Sequence, residues 1–440
     1  MRRGRVLVIE EQSCAETSGL WSEIQDEGFE VNLTAMDRSA AMVAAAGPPD
    51  VVVLNMIAAE MSGDRMRYLD AAARLMMARG SRRLPVIALG GTGSPSPSLG
   101  ISEIIARPIS AVRLTNRIAA IRRLATMQAE ARRRADTAIA FGVTMPDFVG
   151  PSAGADPTVL VVGASVRYLA VERCLSPKAF IVGAFSTATA RDYLARRSFD
   201  AVVLNTTVDT AVEMLREFRA DPALYTLPVI VLAAAPDREA TDQIFAAGAT
   251  ELVEDATLES DLARVIAGSV AEHRFREALR AVYVRGRNLV TSDALTGLFS
   301  RGFFMEHAGR LAEIAAEEGE PHAVATLRID ELAGINAEDG YAAGDHLLRQ
   351  VGSLIGRLTR GEDLAARIGG GRFAVLMPGT DQADAVTALN RVSAILRTTR
   401  FIVPGTGRTL QIDPVGRVTA LGQSESLEPV LNGLFDGGTV

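Results

Sequence analysis

The chain predicts an α/β protein made of two doubly wound units and a third α/β domain. Three observations predict it. Short continuous apolar runs recur in the same order in two successive stretches, and amphipathic helical patterns separate them. A third stretch carries the glycine run Gly369-Gly370-Gly371 between two segments of extended character. Apolar runs that continue rather than alternate belong to parallel strands covered on both faces, with the intervening helices as the cover.

In the first stretch Val6–Ile9, Asp50–Leu54 and Leu84–Leu89 read as strands. In the second, Val159–Val162, Asp200–Leu204 and Leu227–Leu232 repeat the order. Residues 111–140 form a charged helical pattern with Arg122-Arg123 and Arg132-Arg133-Arg134, the latter run read as a solvated helix face. Met145 to Ser152 is rich in Pro and Gly and reads as a linker. A helical pattern from Leu258 to Arg287, without Pro or a glycine cluster, is expected to run as one helix into the third domain and to hold the last two domains in fixed relation. There, Val324–Ile329 and Phe373–Met377 read as strands, Ala366–Leu376 as a β-hairpin around the glycine run, and Ala383–Arg397 as a helix. The expected domains are residues 1–142, 156–275 and 290–440.

With 440 residues, 48% hydrophobic and 22% charged, the chain is expected to be a soluble globular protein with a core in each domain. No apolar run reaches the roughly 18 residues of a membrane span. The apolar run after Met1-Arg2-Arg3 is cut short by Glu10-Glu11, unlike a signal peptide, so a cytoplasmic location is expected. A net charge of −7 argues against nucleic-acid binding but leaves room for a local arginine-lined pocket. Cys14 and Cys174 are too few for a disulfide framework or a zinc site. His273, His307, His322 and His346 lack metal-ligand spacing, and Trp21, patterned with Leu20 and Ile24, reads as core.

Strand order, with Asp50-Val-Val-Val-Leu54 and Asp200-Ala-Val-Val-Leu204, makes both α/β units resemble the flavodoxin-like receiver domains of two-component response regulators. The resemblance puts the phosphoacceptor aspartate at Asn55 and Asn205. A carboxamide cannot attack a phosphoryl donor, so phosphorylation is not expected and a scaffold or dimerisation role is. The family's metal-holding acidic pair falls on Glu10 and Glu11 in the first unit, which could keep a divalent cation, and on Gly163 and Ala164 in the second. Its lysine falls on Arg107 and Asp255, and its switch Ser/Thr on Gly90 and Ala233. Gly90–Gly100 is too short and too rich in Pro and Gly for the helix expected there, whereas Asp237–Ala247 is compatible with it.

The third domain resembles a GGDEF domain, of the palm-like α/β type found in nucleotide cyclases, through Asp293-Ala-Leu-Thr-Gly-Leu298, Arg328-Ile-Asp-Glu-Leu332, Gly340-Tyr-Ala-Ala-Gly-Asp345 and the glycine hairpin. Two receivers before a GGDEF domain is the layout of PleD-type regulators. The resemblance places the metal carboxylates of a diguanylate cyclase at Arg328 and Gly371, and an acidic residue at Arg372. Asp330 alone does not complete a two-metal site, so no metal and no cyclase activity are expected. The basic residues that hold the triphosphate in the family are not recognisable in Leu431–Asp436. Asn336 and Asp345 match its guanine-reading pair, although they serve equally well as turn and cap residues.

Arg360-Gly-Glu-Asp363 matches the family's Arg-x-x-Asp site for cyclic di-GMP, with Arg391 matching another arginine around that ligand. An arginine fork can reach guanine O6 and N7 together with a phosphate, and an aspartate accepts from guanine N1 and N2. The resemblance implies a non-catalytic cyclic di-GMP effector in a homodimer, with cyclic di-GMP as ligand. Its protein partners would be a proteolytic adaptor and polar localisation factors, in cell-cycle control, with location at the cell pole. The alternatives are a residual diguanylate cyclase or GTP-binding protein, and a nucleotide-independent dimeric scaffold.

Overall fold

The computed structural model describes residues 4–10, 17, 19–35, 49–57, 85–90, 103–105, 109–144, 156–163, 165–221, 223–285, 290–318, 320–403, 408–422 and 427–436. Glu11, Cys14, Arg107, Ala164, the stretch 91–100 and the linker from Met145 lie outside them.

The first sheet contains β1 (Gly4–Ile9), β2 (Phe29–Thr34), β3 (Val51–Asn55), β4 (Val86–Leu89) and β5 (Glu103–Ile105), all parallel in the order β2-β1-β3-β4-β5. Its helices include α1 (Leu20–Asp26) and α2 (Ala111–Ala140). All five residues of β3 are buried, as expected of a central parallel strand. Each Val or Leu taken out of water there contributes roughly 1.5–3 kcal/mol. Leu114 and Ile118 of α2 close the core beneath, and Trp21 lies in it as expected.

The second unit repeats this topology. Its helices are α3 (Ser165–Leu175), α4 (Thr187–Arg196), α5 (Val208–Ala220), α6 (Arg238–Ala246) and α7 (Leu258–Arg285). Strands β6 (Thr158–Gly163), β7 (Phe180–Ala184), β8 (Ala201–Asn205), β9 (Val229–Ala233) and β10 (Glu251–Glu254) stand in the order β7-β6-β8-β9-β10. Helix α5 buries Ala211, Leu215 and Phe218, a stripe at helical spacing. Helix α6 starts where the Asp237 carboxylate accepts from the Ala240 amide at 2.8 Å.

The third domain has a mixed sheet in the order β11-β13-β14-β12-β17, from β11 (Phe299–Ser300), β12 (Ala323–Arg328), β13 (Leu364–Gly369), β14 (Arg372–Met377) and β17 (Val415–Ala420). A short ribbon of β15 (Phe401–Ile402) and β16 (Thr409–Leu410) is separate. Helices α8 (Arg301–Glu318), α9 (Leu332–Asp339), α10 (Tyr341–Leu358), α11 (Gln382–Thr398) and α12 (Leu427–Asp436) cover it. The expected hairpin is β13–β14, antiparallel, with a register shift between Arg367 and Gly369. Gly370, at φ +56°, makes the turn that a residue with a Cβ would strain.

Contacts divide the chain into two compact units, Met1–Arg122 with Pro151–Arg276 and Arg123–Gly150 with Glu277–Val440. In the first, the two receiver-like sheets dock through the start of α2. Arg113 pairs with Glu251 at 2.7 Å, Asn116 donates to the Phe245 carbonyl at 3.0 Å, and Arg117 joins Glu103 to Glu272. In the second, the later turns of α2 lie on the third domain, with Ala138 in its core.

This corrects the reading of the arginine run as a solvated face. Arg132 is exposed, but Arg133 pairs with Glu320 at 2.9 Å and Arg134 is only 1% exposed. The reason is spacing: Met127, Ala131, Arg134 and Ala138 recur every three or four residues, so Arg134 stands in the buried stripe of its helix.

Candidate functional site

The turn between α10 and β13 carries Arg360 to Asp363. The Asp363 carboxylate accepts from the Arg360 amide at 2.9 Å, and the Asp363 amide donates back to the Arg360 carbonyl at 3.1 Å. This local closure buries the aspartate, at 8% exposure, and leaves the Arg360 side chain exposed. Helix α11 brings Arg391 to the same place, where its guanidinium donates to the Leu358 carbonyl at 3.3 Å. Arg360, Asp363, Arg391 and Asp384 thus line one cleft, open to solvent, with Leu327, Val375 and Met377 as an apolar floor.

Burial, and after it the adjacent Glu362, push the Asp363 carboxyl up to about 7, against the pull of the Arg360 amide and of the Arg360 and Arg134 guanidinium groups. The cleft can offer two arginine forks and an acceptor that ionises near neutrality. Such a donor–acceptor set suits a planar, anionic, hydrogen-bonding ligand.

The glycine hairpin presents a different chemistry. Arg328 ends β12 directly opposite Arg372 on β14. Its guanidinium donates to both Asp330 oxygens, at 2.6 and 3.1 Å, and to the Phe435 carbonyl at the end of α12. Arg372 reaches Asp436 at 3.3 Å and lies over the Phe435 ring at 5.4 Å. The Asp330 carboxylate is therefore neutralised by a cation of the chain itself. A side chain at Gly371 would start 2.7 Å from the Ile329 carbonyl oxygen, and the Ile329 amide already donates to the Gly371 carbonyl at 2.9 Å. Among the described residues no group of His, Cys, Asp and Glu could hold a metal ion.

Residues 290–425 match the profile of the family described as diguanylate cyclase, GGDEF domain. The third domain has the GGDEF fold. The whole chain is similar to the response regulator PleD of Caulobacter vibrioides, 25% identical over 98% of this chain and 96% of that protein. The diguanylate cyclase TpbB of Pseudomonas aeruginosa is 37% identical over 24% of this chain and 24% of its own. Among solved structures, the GGDEF domain of DgcB from Caulobacter crescentus in complex with c-di-GMP is 28% identical, covers 34% of this chain and 86% of that one, and superposes with a TM-score of 0.32.

Within the GGDEF domain, Asn336 lies half-buried on α9 and Asp345 exposed on α10. A Cβ at Gly344 would fall 1.9 Å from the Asn336 Oδ1, so the Asn336 side chain would have to turn aside for one. In the first receiver-like domain the buried Asn55 amide donates to Glu10 at 2.8 Å, and Trp21 donates to the same oxygen at 3.2 Å. In the second, the Asn205 Oδ1 accepts from Arg167 at 3.4 Å, and Arg167 pairs with Asp255 at 2.7 Å. A Cβ at Gly163 would lie 1.9 Å from the Asn205 carbonyl oxygen, at a φ of +126°. Neither pocket presents an aspartate where its asparagine stands.

Sequence reasoning placed Arg360, Asp363 and Arg391, but missed the residues that support them. Arg123 donates to the Glu362 carboxylate at 2.8 Å, and Arg134 donates to the carbonyls of Gly361 and Glu362. The heptad-like stripe on α2 was the available signal, hidden by neighbouring arginines.

Proposed function

We propose that this chain is a non-catalytic receptor for cyclic di-GMP, binding it through Arg360, Asp363 and Arg391 of a degenerate GGDEF domain. The convergence of those three side chains in one open cleft carries the reading. The filled state of the hairpin supports it from the other side: Arg328 and Gly371 stand where a cyclase needs metal carboxylates, and Arg328 is committed to Asp330 and Phe435. The whole-chain similarity to a response regulator fits a signalling role. Together with two receiver-like domains without an acceptor aspartate, this makes the ligand, rather than phosphorylation, the input.

In this reading the chain resembles the cell-cycle effector PopA. Its output would be recruitment of protein partners, a proteolytic adaptor and polar localisation factors, by a homodimer at the cell pole. Calorimetry with cyclic di-GMP tests the core claim. Wild type binds and Arg360→Ala loses binding by roughly tenfold or more, as expected when a charge-assisted fork of about 1.5–3 kcal/mol is removed. Absence of binding by wild type sinks it.

A second reading is favoured by one observation: Asn336 and Asp345 remain on the helices that would read guanine. A residual cyclase or GTP-binding protein would turn over or retain labelled GTP with Mg²⁺ or Mn²⁺. Complete absence of both removes it.

A further inference from the structure

We propose that Arg134 of α2 is a positioning residue of the Arg360–Asp363 site, holding the two residues between the ligand-binding pair from beneath. The inference rests on the cyclic di-GMP reading for its consequence, but not for its geometry.

The two residues that separate Arg360 from Asp363 are pinned at both backbone carbonyls. Arg134 Nη1 donates to Gly361 O at 3.3 Å and Nη2 donates to Glu362 O. Its Nε donates to Glu130 at 2.7 Å, and its guanidinium lies 5.6 Å from the centre of the Phe299 ring. A planar fork is thus used on three sides, which lysine could not reproduce. Glu130 is held in turn by His307 Nε2 at 2.7 Å, and His307 Nδ1 lies 2.9 Å from the Thr137 hydroxyl. That hydroxyl donates its own hydrogen to the Arg133 carbonyl at 2.9 Å.

Arg123 adds a second hold, on the Glu362 side chain. The other Glu362 oxygen is buried and has no hydrogen-bond partner among the described residues. A core built only for stability would do as well with apolar side chains of similar volume, because burying a guanidinium and a carboxylate is costly. What the ionic set provides that apolar packing does not is a fixed orientation for two carbonyls. That orientation sets where Arg360 and Asp363 emerge, and with them the spacing of guanine acceptor and phosphate fork.

The test uses the full chain in two arms. The double variant Glu130→Gln/Arg134→Met removes the charge pair together. Arg133→Ala on the same helix removes an ion pair that does not touch the loop, and serves as control. In the first arm, hydrogen exchange is followed at the Asp363 amide, which bonds to the Arg360 carbonyl. The double variant is expected to exchange there faster by a larger factor than at core amides of the same domain, and Arg133→Ala to match wild type. In the second arm, calorimetry with cyclic di-GMP is expected to show roughly tenfold to a hundredfold weaker binding for the double variant, the loss usual when a supporting partner of a site is removed. Should the double variant unfold, Arg123→Gln, which releases the Glu362 carboxylate, carries the same two measurements. Wild-type exchange and wild-type affinity in the folded variants overturn the proposal. If wild type itself does not bind, the ligand reading falls, and the exchange arm alone decides whether Arg134 positions the loop.

Discussion

Asp363 and Glu130 sit in the same unit and are driven in opposite directions. Burial and Glu362 raise Asp363 to about 7, so the folded protein holds a proton that the unfolded chain releases near its ordinary 3.8. Stability from this group is therefore greatest at low pH and falls as pH rises through that window. Ligand binding has the opposite sense, since the guanine donors need the carboxylate. Cyclic di-GMP affinity measured by calorimetry is expected to rise between about pH 6 and 8 and then level off; a profile flat across neutrality would remove Asp363 from the site. Burial would raise Glu130 too, but His307 and Arg134 outweigh it and hold the carboxyl at about 2. Its contribution is complete above pH 4.5 and disappears as pH falls from there towards 2, a loss on the order of 3 kcal/mol. Denaturant unfolding should show that acid-side slope flatten in Glu130→Gln. The Arg-x-x-Asp pair was legible in the sequence because its distance from the hairpin is local. Glu130 and Arg134 were not, because they act on a loop more than two hundred residues away.

At the scale of elements, the strands and the hairpin were readable from continuous apolar runs, whereas edge strands such as β7 and β10, with partly exposed residues, gave no such signal. More telling is what the elements have closed over. The receiver and GGDEF resemblances would put a metal carboxylate at Gly163 and at Gly371, and at both a Cβ would meet a backbone carbonyl oxygen, at 1.9 and 2.7 Å. Backbone cannot rotate aside as a side chain can, so restoring the acid strains the strand. Gly371→Glu combined with Arg328→Asp is expected to unfold more easily than wild type by roughly 1–3 kcal/mol and to make no cyclic di-GMP from GTP and Mg²⁺. Product formation by that double variant would show that the hairpin keeps a cyclase geometry.

At the scale of the whole molecule, two receiver-like domains precede a GGDEF domain, and the two surround Asn55 and Asn205 differently. The first keeps Glu10 facing the buried Asn55 amide at 2.8 Å. An aspartate there would set two carboxylates against each other, an arrangement that a divalent cation relieves. The second instead offers Arg167 to Asn205, and has no room for an acid at Gly163. An aspartate at position 205 would pair with Arg167 and need no metal. Reversion should therefore split the two domains: Asn55→Asp gains a Mg²⁺-dependent rise in unfolding temperature and Asn205→Asp gains none. With acetyl phosphate and Mg²⁺, intact-mass measurement should find no phosphoryl adduct on wild type or on Asn205→Asp. A Mg²⁺ response in Asn205→Asp, or an adduct on wild type, would mean that phosphorylation still reaches this molecule and that the cleft at Arg360 is not its sole input.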